Sequence, residues 1–254
     1  MRYGSARIAV MVVMLSWLLW VPRAFAEPYV GGYLGLALAA DSDFADTDFI
    51  GNVLVLNEDF STNVDNSVTF GVRAGYWFDF LPLIGTQFDL YVFSPNLKIT
   101  EGQMVQATTG PTTTSPVELP VDIEFDVTVV ALGFSVLGRY PFLKSPEFPR
   151  GRLQPYLGLG PAIFITSWDA KTPDPPLEDN RGSETVVQGG LQFMAGASFF
   201  IRERLSAFAE YKFTHHVTQI GGIAGEEIGG TFSLVGNQPF NISHLTVGAT
   251  YHFY

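Results

Sequence analysis

The final segment of the chain alternates strictly between two classes of side chain, up to the residue before the last. Its apolar positions are Leu245, Val247, Ala249, Tyr251 and Phe253. Its small or polar positions are His244, Thr246, Gly248, Thr250 and His252. A two-residue period places these sets on opposite faces of a β-strand. Because an ordered, aromatic-tipped terminal strand would leave a free edge in most soluble domains, we expect it to close a β-barrel.

The opposite end of the chain, residues 1–26, has the features of a secretory signal peptide. Two arginines precede an apolar run at 8–20, and Ala-Phe-Ala at 24–26 supplies a cleavage site. A membrane anchor is the alternative, but the apolar run is shorter than the about 20 residues that a spanning helix needs. We predict cleavage after Ala26 and a single mature domain over 27–254. Since no later stretch is as apolar, a mature chain that enters a membrane must cross it as strands.

Composition indicates that much of the surface does not face water. Hydrophobic residues make up 47% of the chain and charged residues only 15%, against about 25% charged in ordinary soluble domains. The absence of cysteine excludes a disulfide scaffold and a thiolate metal site. With a formal charge of -11, the chain would be repelled by nucleic-acid phosphates, so we expect no nucleic-acid partner. We also expect no cofactor.

Eight segments have strand periodicity, and the connections between them are alternately short and long. The segments are 28–38, 66–78, 85–97, 121–140, 152–168, 186–200, 205–217 and 241–253. The short connections are 79–84, 141–151 and 202–204, and the long ones are 39–65, 98–120, 169–185 and 218–240. This alternation is typical of an outer-membrane barrel with periplasmic turns and extracellular loops. We predict an all-β fold, a single antiparallel up-and-down transmembrane β-barrel of eight strands.

Two segments leave details of this fold open. Asp126 and Arg139 have opposite parity within 121–140, which predicts a bulge or a phase slip near Val129 to Leu132. The weak alternation from Asn52 to Leu56 predicts either a hairpin extended above the membrane or a higher strand count. A soluble sandwich or lipocalin-like barrel is the alternative fold, although it gives no reason for tyrosine and phenylalanine near strand ends.

Four stretches carry a resemblance to a known family. They are YVGGYLG at 29–35, PYLGLGP at 155–161, FAEYKFTH at 208–215 and VGATYHF at 247–253. Together with the signal peptide, they resemble the small outer-membrane β-barrel proteins of Gram-negative bacteria, which include the transmembrane domain of outer-membrane protein A and the opacity-type surface proteins. One departure is Tyr254, which follows Phe253 out of phase with the lipid-facing positions.

The resemblance implies a location and partners but no reaction. It implies export to the bacterial outer membrane and insertion by the barrel-assembly machinery through the C-terminal strand. It also implies a monomer in contact with outer-membrane lipid and lipopolysaccharide, with divalent cations as bridges. The family motifs are structural, so the role that they favour is structural or surface-interactive and not catalytic.

Charged side chains are expected inside the barrel. An eight-stranded barrel is about wide enough to be filled by its own side chains. Strand parity points five charged residues into this lumen: Arg73, Asp89, Arg139, Glu210 and Lys212. Buried charges need partners, and a hairpin of 66–78 with 85–97 would place Arg73 opposite or diagonal to Asp89. We predict a plug of ion pairs, with a narrow channel for small solutes as the alternative.

The histidines of the last two strands suggest two further arrangements. Antiparallel pairing of these strands predicts that His216 and His244 face the lumen near the extracellular rim, where a metal would need a third ligand that the spacing does not supply. It also predicts that His215 and Ser243 lie side by side on the lipid-facing exterior. A base and a nucleophile there could attack an acyl ester of lipopolysaccharide. The alternative function is therefore a lipid-A-modifying outer-membrane enzyme.

Overall fold

The structure is a computed structural model in which the described residues are 26–39, 45–48, 54–56, 61–106, 120–171, 183–227 and 230–253. The predicted signal peptide lies outside these ranges except for Ala26, and so does Tyr254; cleavage after Ala26 therefore stays a prediction. Within the described ranges, no helix is long and apolar enough to cross a membrane.

The described residues form twelve strands. In chain order they are β1 (Ala26–Ala39), β2 (Ala45–Asp48), β3 (Leu54–Leu56), β4 (Ser61–Val64), β5 (Ser67–Phe78), β6 (Ile84–Phe93), β7 (Leu97–Gln106), β8 (Pro120–Arg139), β9 (Leu153–Lys171), β10 (Ser183–Arg202), β11 (Leu205–Glu227) and β12 (Gly230–His252). Eight of these close into an antiparallel barrel in the order β6, β5, β1, β12, β11, β10, β9, β8 and back to β6. The predicted fold class is confirmed.

The remaining short strands extend the barrel on the side of the long connections. β7 continues along β8 beyond the end of β6, and β3 and β4 pair with β7. β2 pairs with β12. Of the segment from Asn52 to Leu56, the described part is β3, which belongs to such an extension and does not raise the barrel's strand count; residues 52 and 53 lie outside the described residues.

The barrel strands β5 and β12 turn apolar side chains outward and polar side chains inward. On β5, Phe70 is 59% exposed, whereas Arg73 is 5% exposed and faces the lumen. The same inversion holds on β12, where Leu245 and Val247 are exposed and Thr246 is buried. A soluble barrel places apolar side chains inside, so this surface is built for contact with lipid.

The predicted bulge or phase slip on β8 is wrong. Residues from Val129 to Gly138 pair with β6 without a register shift, and the pairs with β9 have one register on both sides of Phe134 and Ser135. Asp126 shares the outward parity of Thr128 near the extracellular end of the strand, whereas Arg139 has the inward parity. The difference in parity reflects the two faces of one regular strand, since an outward position near the strand end does not require an apolar side chain.

Large rings fit inside the narrow barrel because each lies against a glycine on the neighbouring strand. The cross-strand pairs are Tyr29 with Gly75, Tyr33 with Gly71, Tyr156 with Gly196 and Phe208 with Gly248. A Cβ added to Gly196 would lie 2.7 Å from Oη of Tyr156. Glycine therefore leaves the space that the ring of its partner occupies.

We expect Gly196→Ala to lower the free energy of unfolding by about 1–3 kcal/mol, because the added methyl group overpacks the lumen against Tyr156. Urea titration of the protein folded in vesicles, followed by tryptophan fluorescence, measures this loss. Gly138→Ala is the matched control, since a Cβ there meets nothing within 4 Å. Equal losses in the two variants would show that the ring and glycine contact does not limit packing.

Candidate functional site

The centre of the lumen holds four charged side chains, Arg73, Asp89, Glu210 and Lys212, which we call the central network. Nη1 of Arg73 lies 3.3 Å from Oε2 of Glu210, and Nζ of Lys212 lies 3.3 Å from Oδ1 of Asp89. Lys212 also lies 3.8 Å from Oε1 of Glu210. Each of these side chains is at most 4% exposed. Two cations and two anions therefore neutralise one another in the middle of the barrel.

Tyrosine and threonine hydroxyl groups add hydrogen bonds to the central network. Tyr156 donates to Oε2 of Glu210 over 2.7 Å, and Lys212 donates to the hydroxyl of Tyr33 over 3.1 Å. Arg73 donates to Oγ1 of Thr250 over 2.9 Å, and its guanidinium lies 3.3 Å from the ring centroid of Phe208. These hydrogen bonds stabilise the buried charges, although Nε of Arg73 and Oε1 of Glu210 have no hydrogen-bond partner.

The predicted neighbours Arg73 and Asp89 are Cα partners on β5 and β6, but their side chains do not form the ion pair. Arg73 reaches across the lumen to Glu210 on β11, and Asp89 is paired with Lys212 from the same strand. Long side chains in a narrow barrel meet partners from non-adjacent strands. Strand parity indicates which residues face inward, but it does not indicate which of them meet.

A second cluster closes the periplasmic end of the lumen. We call Glu27, Arg139, Arg150 and His252 the rim cluster. The buried carboxylate of Glu27 accepts hydrogen bonds from Arg139 over 2.9 Å and Arg150 over 2.8 Å, and it lies 2.9 Å from Nδ1 of His252. Glu27 thus ties β1 to β8, to the turn after β8 and to β12. Sequence reasoning named Arg139 alone, because Glu27 lay at the predicted start of the mature chain.

Ser206 extends the rim cluster into a series that resembles a nucleophile triad. Its Oγ lies 3.0 Å from Nε2 of His252, whose Nδ1 faces Glu27. These are the ring nitrogens that a Ser-His-carboxylate triad uses. Ser206 is fully buried, however, and the ring of Phe200 lies 4.7 Å from that of His252. The serine is therefore enclosed, and the carboxylate is already neutralised by two arginines.

The predicted juxtaposition of His215 and Ser243 is wrong. His215 is the Cα partner of Asn241, and the partner of Ser243 is Phe213. Nδ1 of His215 lies 2.7 Å from Oδ1 of Asn241, while Oγ of Ser243 shares a hydrogen bond of 3.1 Å with the hydroxyl of Tyr211. The true register differs by two residues, a shift that keeps every side chain on its face and so leaves the alternation unchanged.

His216 and His244 face the lumen as predicted by parity, but they serve as packed rings. His216 is stacked between Phe164, at 4.0 Å, and Phe240, at 5.3 Å. His244 meets the ring of Phe93 edge-on at 4.9 Å. His216 is the Cα partner of Phe240 and His244 that of Lys212, so the register prediction that brought the two histidines together was wrong. No metal-binding group of three or more His, Cys, Asp or Glu occurs among the described residues.

These histidines belong to an apolar layer between the central network and the extracellular side. We call it the apolar plug, and its largest members are Tyr91, Phe93, Phe164, Trp168, His216, Phe240 and Ile242. Each of these side chains is at most 2% exposed. The lumen is thus filled in three successive layers, which are the rim cluster, the central network and the apolar plug.

Known proteins share this architecture. A model of the outer membrane protein beta-barrel domain matches residues 9–253. The outer membrane protein OprG from Pseudomonas aeruginosa is similar in structure at 16% identity, with a TM-score of 0.52 over 91% of this chain and 97% of that one. A major outer membrane protein from Thermus thermophilus is similar at 14% identity, with a TM-score of 0.50 over 90% and 99%.

The outer membrane protease OmpT from Escherichia coli is a more distant structural match. It is 9% identical, with a TM-score of 0.45 over 90% of this chain and 96% of that one. Identities this low show the fold and not the activity. Among curated proteins, no sequence matches this chain significantly.

Proposed function

Because this chain belongs to the outer membrane protein beta-barrel domain family, we propose that it is a closed, non-catalytic barrel of the bacterial outer membrane with a structural or surface-interaction role. The observation that carries this proposal is the central network, whose four charged side chains are buried and paired across the lumen. A solute could pass only by separating these pairs, and removing one partner of a buried pair costs about 3–5 kcal/mol.

The other two layers of the lumen support the same conclusion. In the rim cluster, Arg139 and Glu27 form an ion pair at the periplasmic end of the lumen. In the apolar plug, the rings of Phe164 and Phe240 pack against His216. An eight-stranded barrel has an interior about wide enough for side chains alone. A narrow channel is the competing function, favoured by the cavity that remains between Arg73 and Arg139.

Liposome swelling separates these two functions. We expect vesicles that contain the folded protein to swell in small sugars and amino acids at the rate of protein-free vesicles, while a general porin in parallel vesicles gives rapid swelling. Swelling that depends on the protein and falls with increasing solute size would contradict the closed lumen and favour the channel.

The surface-interaction role is supported by the strands that continue beyond the apolar band. A transmembrane strand takes about 9–11 residues, whereas β11 and β12 have 23 residues each. Their hairpin pairs continuously as far as Glu227 and Gly230, with one register shift between Gly221 and Ile223. This extension would present polypeptide at the cell exterior, next to lipopolysaccharide that divalent cations could bridge. Insertion through the C-terminal strand and a monomeric state are part of the same proposal.

Among the described residues, the series formed by Ser206, His252 and Glu27 is a candidate for a catalytic role. We expect a fluorophosphonate probe to leave the folded protein unlabelled, because Ser206 is enclosed and Glu27 is engaged by Arg139 and Arg150. We also expect lipid A mass spectra of cells that produce the wild type or Ser243→Ala to be identical. Labelling that Ser206→Ala and His252→Asn both abolish, or a change in lipid A acylation, would contradict the non-catalytic role.

A further inference from the structure

Apolar side chains of the lipid-facing surface continue beyond the periplasmic ends of β5 and β8, the two strands that flank β6. Beyond β5, Phe80 is 73% exposed and lies 5.1 Å, ring to ring, from Phe78. Beyond β8, the rings of Tyr140 and Phe142 lie 4.8 Å apart on the outward side, and both are exposed. Apolar side chains thus continue into the turns at 79–83 and 140–152.

Leu143 is exposed at a backbone conformation that suits glycine or asparagine. Its φ is 54°, in the left-handed region, and its side chain is 63% exposed. The backbone N–H of Arg152 donates to the carbonyl of Leu143 over 3.2 Å and holds the turn in this shape. A large apolar residue is disfavoured here both by its backbone and by water. Such outliers are retained where the side chain has a further use.

The same periplasmic turns are basic, although the chain as a whole is acidic. The turns 79–83, 140–152 and 202–204 contain five basic residues against three acidic ones. All five basic residues are exposed, and four of them, Lys144, Arg152, Arg202 and Arg204, lie outside the rim cluster. Arg152 is held over the outward-facing ring of Phe199, with 4.9 Å between its guanidinium and the ring centroid. Apolar side chains flanked by Lys and Arg are typical of segments that lie in a membrane interface.

The two apolar turns form one rigid unit. The backbone N–H of Arg139 donates to the carbonyl of Leu83 over 2.8 Å, and its Nε donates to the carbonyl of Pro82 over 3.0 Å. Arg150 of the longer turn lies 3.6 Å from Asp79 of the shorter one. Phe80, Phe142 and Leu143 are therefore held on turns that are fixed to each other.

We propose that the turns 79–83 and 140–152 are a foot that inserts into the periplasmic leaflet of the outer membrane and binds anionic phospholipid headgroups. Phe80, Phe142 and Leu143 would enter the acyl region, while Lys144 and Arg152 contact the phosphates, with Arg202 and Arg204 beside them. Anionic phospholipid is the occupant that the charge favours, because exposed basic residues outnumber exposed acidic residues by five to three in the periplasmic turns. The foot requires a barrel in a membrane but not a closed lumen.

A single fluorescent label tests the foot directly, since the chain contains no cysteine. Leu143→Cys is labelled with an environment-sensitive dye, and the protein is folded into vesicles of phosphatidylcholine alone or mixed with phosphatidylglycerol. We expect blue-shifted emission that spin-labelled lipids quench, more strongly with phosphatidylglycerol. Glu147→Cys, on the exposed side of the same turn, is the control and should report water. Equal emission and equal quenching at both positions would overturn the proposal.

A second variant separates membrane contact from folding. Leu143→Asn introduces a residue that tolerates the left-handed conformation better than leucine does. Stability in detergent micelles should therefore be unchanged or higher. In vesicles, loss of the side chain that contacts lipid should raise the equilibrium constant for unfolding about tenfold. The neutralised variant with Lys144→Gln, Arg202→Gln and Arg204→Gln should lose the difference between the two vesicle compositions. If Leu143→Asn affects micelles and vesicles alike, the side chain does not contact lipid.

Discussion

Replacing Glu210 by glutamine is expected to lower the free energy of unfolding by about 3–5 kcal/mol, because it leaves a buried cation without its counter-ion. Glu210 is within ion-pair distance of both Arg73 and Lys212, and only Asp89 would then remain to balance the two cations. Urea titration of the protein folded in vesicles, with Trp77 and Trp168 as fluorophores of the mature chain, measures the change.

Two further variants identify the cause of this loss. Glu147→Gln, at an exposed position in a periplasmic turn, removes the same charge and should change stability by less than about 0.5 kcal/mol. Replacing Arg73 and Glu210 together by methionine leaves Lys212 and Asp89 paired and should recover most of the stability. A loss below about 1 kcal/mol for Glu210→Gln would mean that water, and not Glu210, balances these cations.

The second large effect is expected at Glu27, where the glutamine variant should lower the free energy of unfolding by about 3 kcal/mol. The carboxylate is 1% exposed and is the shared acceptor of Arg139, Arg150 and His252. Glu27 thus connects β1 to β12, the first and last strands, which pair to close the barrel. Heat-modifiability gels should therefore show the folded band converting to the unfolded band at a lower temperature than in the wild type.

Asp79→Asn provides the matched comparison for Glu27, because Asp79 pairs with the same arginine at the surface. Its distance to Arg150 is 3.6 Å, and the two side chains are 43% and 46% exposed. An exposed pair is worth about 0–1 kcal/mol, so this variant should unfold almost as the wild type does. If both substitutions cost the same, burial of Glu27 is not the source of its effect.

The faces of the strands could be predicted from the sequence because lipid imposes a strict rule on one face. Along β5 and β12 every outward position within the membrane must be apolar or small, so alternation reveals the strands and their phase. Beyond the membrane, neither face of a strand is restricted to apolar or small side chains. The prediction therefore ended β11 at 217, whereas the strand continues to Glu227.

The contacts inside the lumen could not be predicted in the same way. Arg73 and Asp89 are neighbours in the sheet, yet each pairs with a residue of β11, because the partner is chosen across the barrel. The register of β11 with β12 was missed by two residues, since such a shift preserves both faces. Glu27 lies one residue before the predicted first strand, so the alternation did not indicate that its side chain faces the lumen.

Single-channel recording in planar bilayers tests the closed lumen most directly. A general porin recorded in the same bilayers provides the reference, because its lumen is an aqueous channel. We predict that this protein gives no steady current at voltages where the porin conducts. Steady single-channel steps from the folded protein would contradict the account, because the buried ion pairs would then not block the lumen.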